Sequence, residues 1–207
     1  MFSIFCSKNK LQNAKEQLGA SATAFILDTT QEQQVQSFFE KVGQFDHLVV
    51  SAAETSGGSF LHTNTAQARQ LFENKFWDQY YAAKYGAPKI LPHGSITLFS
   101  GVVAYKSMVG SSILGAVNAA VSNLGQTLAL ELAPIRVNII SPGIIDTPSR
   151  SKMPEETRNH FYATVGNKLP VKRIGRAEDV AQSVLYLLQN SFVTGTVLHV
   201  EGGHILS

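Results

Sequence analysis

Charge is scarce in this sequence: 15% of its 207 residues are Asp, Glu, Lys or Arg, against about 25% in ordinary soluble domains. The 17 basic and 15 acidic residues leave a net charge of +2 and lie scattered along the chain. That distribution lacks the basic stripe of a nucleic-acid binder, so no nucleic-acid partner is expected. Cysteine is nearly absent, with Cys6 alone. Neither an internal disulfide nor a thiolate metal cluster can be built from it, and a reducing, cytoplasmic setting is expected. The histidines, His47, His62, His93, His160, His199 and His204, show no ligand spacing, so no metal is expected. Apolar runs stop short of the ~20 residues of a membrane span, and Met1 to Cys6 has neither the basic start nor the apolar length of a signal peptide. No membrane partner is expected.

What the sequence does have is apolar surface, 44% of its residues. A chain of this length buries about 70% of its unfolded surface, so one domain over residues 1–207 is expected. Short apolar runs at Phe2–Cys6, Ala24–Leu27, His47–Ser51, Ser95–Phe99, Arg136–Ile140 and Thr196–Val200 alternate with stretches of helical period. Val35, Phe38, Phe39 and Val42 follow Thr29 and Glu32, a capping-box spacing. Leu114, Val117, Val121, Leu124, Leu128 and Leu132 mark a second helix, and Val180, Val184, Leu185 and Leu188 a third. The pattern predicts an α/β fold, a doubly wound parallel sheet of Rossmann-like kind. Residues 148–176 lack clear periodicity and sit where such folds place a substrate lid. Ligands in these sheets bind beyond the carboxyl ends of the strands. The residues to read are therefore Ser7 to Asn9, Asp28, Ser51 to Ala53, Ser100, Gly101 and Ser141 to Thr147.

Those strand ends resemble the short-chain dehydrogenase/reductase family. The resemblance is carried by ELAPIRVNIISPGIIDTP (Glu131–Pro148), RIGRAEDVA (Arg173–Ala181) and FVTGTVLHVEGG (Phe192–Gly203). It implies an NAD(P)-dependent oxidoreductase acting on a small carbonyl compound and assembling as a homo-oligomer. The implied cofactor residues are Asp28, Ser51, Ala52, Ala53, Pro142, Gly143, Ile145 and Thr147. Lys8 is a further candidate, for a ribose phosphate. The implied interface lies on the helices of Asn74–Tyr85 and Leu114–Leu132, with Phe76, Trp77, Tyr80 and Tyr81 as aromatic area.

Two departures qualify the resemblance. The sequence opens at what resembles the family's second strand, so the first strand and its glycine-rich, phosphate-holding turn are expected to be missing. The loss would open a gap in the sheet. The catalytic positions also differ: the family's serine falls at Gly101, its tyrosine at Leu114 and its lysine at Asn118, which leaves Asn74 as the retained catalytic candidate. Leu114 has no proton to give and Asn118 no charge. The expected function is a family member with impaired chemistry acting as a binding or oligomer-forming module. The alternative is an active NAD(P)H-dependent carbonyl reductase whose proton donor has moved to Tyr105 or Ser112, near Lys106 and Ser111, with a cofactor site completed by another chain. A literal Tyr-x-x-x-Lys at Tyr80–Lys84 lies one helix too early and reads as a chance match.

Overall fold

The computed structural model describes residues 2–5, 16, 22–51 and 57–207. The residues proposed from sequence at Cys6, Ser7, Lys8, Asn9, Ala52 and Ala53 lie outside that set. In chain order the described elements are β1 (Phe2–Phe5), β2 (Thr23–Ile26), α1 (Glu32–Lys41), β3 (Phe45–Val50), α2 (Thr65–Phe72), a π-helical segment (Glu73–Trp77), α3 (Asp78–Gly86), β4 (Ile90–Phe99), α4 (Ser112–Glu131), β5 (Arg136–Pro142), β6 (Ile145–Asp146), α5 (Glu155–Lys168), β7 (Gly175–Arg176), α6 (Ala177–Gln189) and β8 (Val197–Val200).

Every sheet is parallel. β3, β4, β5 and β8 pair in that spatial order, with Leu98 opposite Ile139 and Ile140 opposite Leu198. β1 pairs with β2, and β6 with β7. No backbone pairing joins β1 or β2 to β3 among the described residues.

The central strands read as nearly continuous apolar runs because both of their faces are covered. On one face Ile96, Leu98, Val137 and Ile139 pack against Ala82 and Ala83 of α3 and Val121 and Ala129 of α4. Burying each large aliphatic side chain contributes about 1.5–3 kcal/mol. Gly125 lets α4 approach closely, since a Cβ there would lie 2.6 Å from Ile139 Cγ1. On the other face Arg136 and Asn138 reach toward the end of α6 and the turn after it. Beside α3, Val35 and Phe39 of α1 close a smaller cluster with Leu27.

Three sequence expectations need correction. Thr29 does not cap α1: Gln31 stands at the N-cap without a side-chain bond, and Asp28 instead closes a turn onto Thr30. Residues 148–176 contain the 14-residue helix α5. Its apolar residues form no stripe, so periodicity missed it, but Glu155 and Glu156 in the first turn and Lys168 in the last complement the helix dipole. Finally, α4 is long and apolar enough to cross a bilayer by length and composition. Here it lies against β4 and β5, with Val117, Val121, Gly125 and Ala129 buried.

Candidate functional site

The carboxyl ends of the strands gather the sequence-predicted residues unevenly. At the end of β2, the exposed Asp28 carboxylate accepts from the Thr30 N–H at 3.0 Å and the Thr30 hydroxyl at 2.7 Å. Its own N–H donates to Gln34 Oε1 at 3.2 Å, so much of its bonding is local. Ser51 is exposed at the end of β3. Beyond β5, Gly143 donates its N–H to Val200 O at 3.0 Å and lies so close to Glu201 that a Cβ would sit 2.8 Å from Glu201 Cα. Pro142 ends β5, Ile145 is buried where β6 meets β7, and the Thr147 hydroxyl bonds Ser149 Oγ at 2.8 Å.

The densest polar arrangement lies at the end of β4. Ser100 is buried there, its N–H donating to Ile140 O at 2.9 Å and its hydroxyl to Asn118 O at 2.8 Å. Ser122 Oγ donates to Ser100 Oγ at 2.8 Å, and Lys75 Nζ donates to Ser100 O at 3.2 Å. Gly101 follows, and a Cβ on it would lie 2.7 Å from Asn118 Nδ2. The position the resemblance gives to serine is thus filled by the amide of the position it gives to lysine. Asn118 Oδ1 is buried with no hydrogen-bond partner, as is Ser141 Oγ at the end of β5. Those buried, unmatched polar atoms, one on α4 and one at the end of β5, fit a polar ligand in the place where doubly wound sheets hold one.

The π-helical segment sets the other side of this cluster. Gln79 clasps the strand end, donating to Phe99 O at 3.0 Å and accepting from Phe99 N–H at 2.7 Å, while donating also to Lys75 O at 2.7 Å. Lys75, 4% exposed, is pushed down to about 8 by burial, the nearby Asp78 opposing the shift. Burial pushes the Asp78 carboxyl up to about 7, against the Gln79 N–H bond and the Lys75 charge. The sequence expectations do not include Lys75. Its spacing of four from Leu71 and from Gln79, and seven from Ala82, would have placed it on the buried stripe.

A cavity of about 430 Å³ opens between residues 57–63, α2 and the start of α4. It brings Asn74 and Leu114 together with Ser112, Gln70 and His62. Asn74 Oδ1 accepts from Gln70 Nε2 at 2.8 Å. Gly101 and Asn118 are not in its wall, and neither are Tyr105, Lys106 and Ser111. Tyr105 packs edge-on against His199 with centroids 4.6 Å apart, and Lys106 Nζ donates to His204 O at 2.7 Å, tying down the last turn. Of the substitute hydroxyls named from sequence, Ser112 is the one on the cavity. Tyr80–Lys84 lies away from the cavity wall, and Lys84 pairs with Glu32 at 3.0 Å on the surface. His, Cys, Asp and Glu form no group of three suited to a metal ion among the described residues.

Residues 5–204 match the family described as Enoyl-(Acyl carrier protein) reductase. Carbonyl reductase family member 4 of Xenopus laevis is 32% identical over 200 residues, which span 93% of this chain and 81% of that protein. The 3-oxoacyl-(acyl-carrier-protein) reductase of Thermotoga maritima is 29% identical, over 96% of this chain and 83% of its own length. Among solved structures, a small-chain dehydrogenase crystallised with NADPH superposes with a TM-score of 0.88 at 35% identity, covering 100% of this chain and 98% of that one.

Proposed function

The chain belongs to the short-chain dehydrogenase/reductase family, and on that basis we propose that it binds a nicotinamide nucleotide and reduces a small carbonyl compound slowly. The nucleotide would lie across Asp28, Ser51 and the Pro142–Thr147 loop, where strand ends and unmatched polar atoms coincide. When bound, it supplies a hydride for the carbonyl carbon. This chain's part is then to hold the carbonyl and to see that its oxygen gains one proton, which completes the alcohol.

The observation that carries the reading is Leu114 in the cavity wall beside Asn74, in the position the resemblance gives to the proton-donating tyrosine. General acid catalysis contributes about 10² to 10⁴ in rate, so a site without that phenol turns over slowly rather than not at all. NADPH titration followed by fluorescence, with a panel of ketones and diones, tests it. Saturable binding with turnover about 10² to 10⁴ below that of phenol-bearing relatives is expected. Undetectable NADPH binding, or turnover as fast as those relatives, would overturn it.

A second reading rests on Ser112, whose hydroxyl shares the cavity with Leu114. There the proton donor has moved by two residues, and Ser112→Ala lowers turnover by about 10² to 10⁴ while leaving NADPH affinity intact. Unchanged turnover in that variant removes the idea. For partners, the rings of Trp77 at the end of the π-helical segment and of Tyr80 and Tyr81 on α3 pack together with Trp77 at 36% exposure, which supports association with a second copy. Light scattering on the purified chain would show a dimer or larger, and a monomer would refute it.

A further inference from the structure

We propose that Lys75 is the cation of this site: its ammonium reaches the end of β4 from the π-helical segment beside α4, where Asn118 offers no charge. The inference rests on the nucleotide-binding reading above and names the residue that gives the site its charge.

Geometry carries it. Lys75 and Asn118 meet at one residue, Lys75 Nζ donating to the Ser100 carbonyl at 3.2 Å and the main-chain carbonyl of Asn118 accepting from the Ser100 hydroxyl at 2.8 Å. Lys75 points inward from a π-helical turn, and such turns recur at functional sites. An ammonium has three donors, yet Ser100 O is the acceptor within reach of Lys75 among the described residues. A buried lysine so sparsely matched contributes poorly to stability, since a methionine of similar length would avoid the desolvation cost. A function for the charge explains why a lysine stands there. It lies at the carboxyl end of β4, on the side of a doubly wound sheet where an anionic ligand sits, and its field acts through the protein interior rather than through water. Lys75 is not in the wall of the cavity beside Asn74, so it is a positioning residue, acting through its field and through the Ser100–Gly101 strand end.

The charged and titratable groups around it are few. On its own helix Asp78 stands one turn ahead. β4 contributes the Ser100 carbonyl and α4 contributes Asn118 and Ser122, none of them titratable in this range. Asp78 is the charge that acts on Lys75 among the described residues.

The test is NADPH binding to the purified full chain, measured by fluorescence from about pH 7 to about pH 9.5, below the range where exposed lysines titrate. The wild-type dissociation constant is expected to rise roughly tenfold across that range, with a midpoint near the value of about 8 that burial gives Lys75. Lys75→Arg keeps binding level across the range, because guanidinium does not titrate there. Lys75→Met binds weakly at every pH, without a step. Asp78→Asn moves the wild-type step to lower pH, a displacement that a purely structural lysine would not produce. Because the wild-type titration needs no variant, misfolding of Lys75→Met leaves the test intact. Level wild-type binding, or a step that survives in Lys75→Met, overturns the role of Lys75 and leaves the nucleotide reading standing. Absence of NADPH binding at every pH overturns both.

Discussion

Gly101 and Asn118 are matched to each other in a way neither residue type announces alone. The backbone of Gly101 is extended, so its lack of a side chain serves space rather than conformation. Gly101→Ala would push a methyl to 2.7 Å from Asn118 Nδ2 in a buried setting. A loss of about 1–3 kcal/mol in urea unfolding is expected, as for other overpacked sites. In Asn118→Ala the same substitution should cost far less, and additive losses would show that the two positions are not coupled. Restoring a serine at 101 therefore requires changing 118 as well.

The buried pair Lys75 and Asp78 predicts a pH dependence of opposite sign on either side of neutrality. Asp78 holds its proton to about 7 in the folded chain, but to about 4 when unfolded. Its contribution is full below about pH 4 and is lost as pH rises through about 7. Lys75 loses its proton at about 8 when folded, but at about 10.4 when unfolded, so stability climbs again from about pH 8 to about 10.4. Thermal midpoints across pH should dip between those windows. Asp78→Asn should remove the acid-side fall, and Lys75→Met the alkaline rise; unaltered profiles in both variants would contradict the assignment. Sequence names Asn74 as the retained polar residue on this helix. The fold turns Asn74 to Gln70 and buries its neighbour Lys75, which stands four residues from the buried Leu71 and from the buried Gln79.

At the scale of elements, Arg136 shows how one side chain fixes a helix to a strand. From the first residue of β5 it donates to Leu187 O at 2.7 Å, Leu188 O at 3.0 Å and Val193 O at 3.1 Å, satisfying carbonyls at the end of α6 and in the following turn. A cation there also complements the helix dipole. Arg136→Met should destabilise the chain by about 2–4 kcal/mol in urea unfolding, since buried carbonyls lose charged donors. A change within experimental error would mean that solvent replaces them. The helices α1, α4 and α6 are legible in the sequence because their apolar residues recur at helical spacing. Others are not, among them α5, whose apolar residues do not align, and the π-helical segment, which has no pattern distinct from the helices on either side.

At the scale of the molecule, β4 and β5 form the centre of a four-stranded sheet covered on both faces, whereas β1 and β2 pair with each other alone among the described residues. Amide hydrogen exchange should accordingly be slowest in β4 and β5 and faster in β1 and β2, since local opening is easiest where packing partners are fewest. Equal protection across all of these strands would show that the two sheets behave as one unit.

The alternation of strands and helices, the parallel sheet and the family are written in the chain alone, because apolar period and the segments Glu131–Pro148 and Phe192–Gly203 are local properties of it. Which polar groups meet is settled by the folded arrangement. Lys75, Ser100 and Asn118 are separated by 25 and 18 residues along the chain, and the force that joins them, the need of buried donors and acceptors for partners, acts only once the helices close over the sheet.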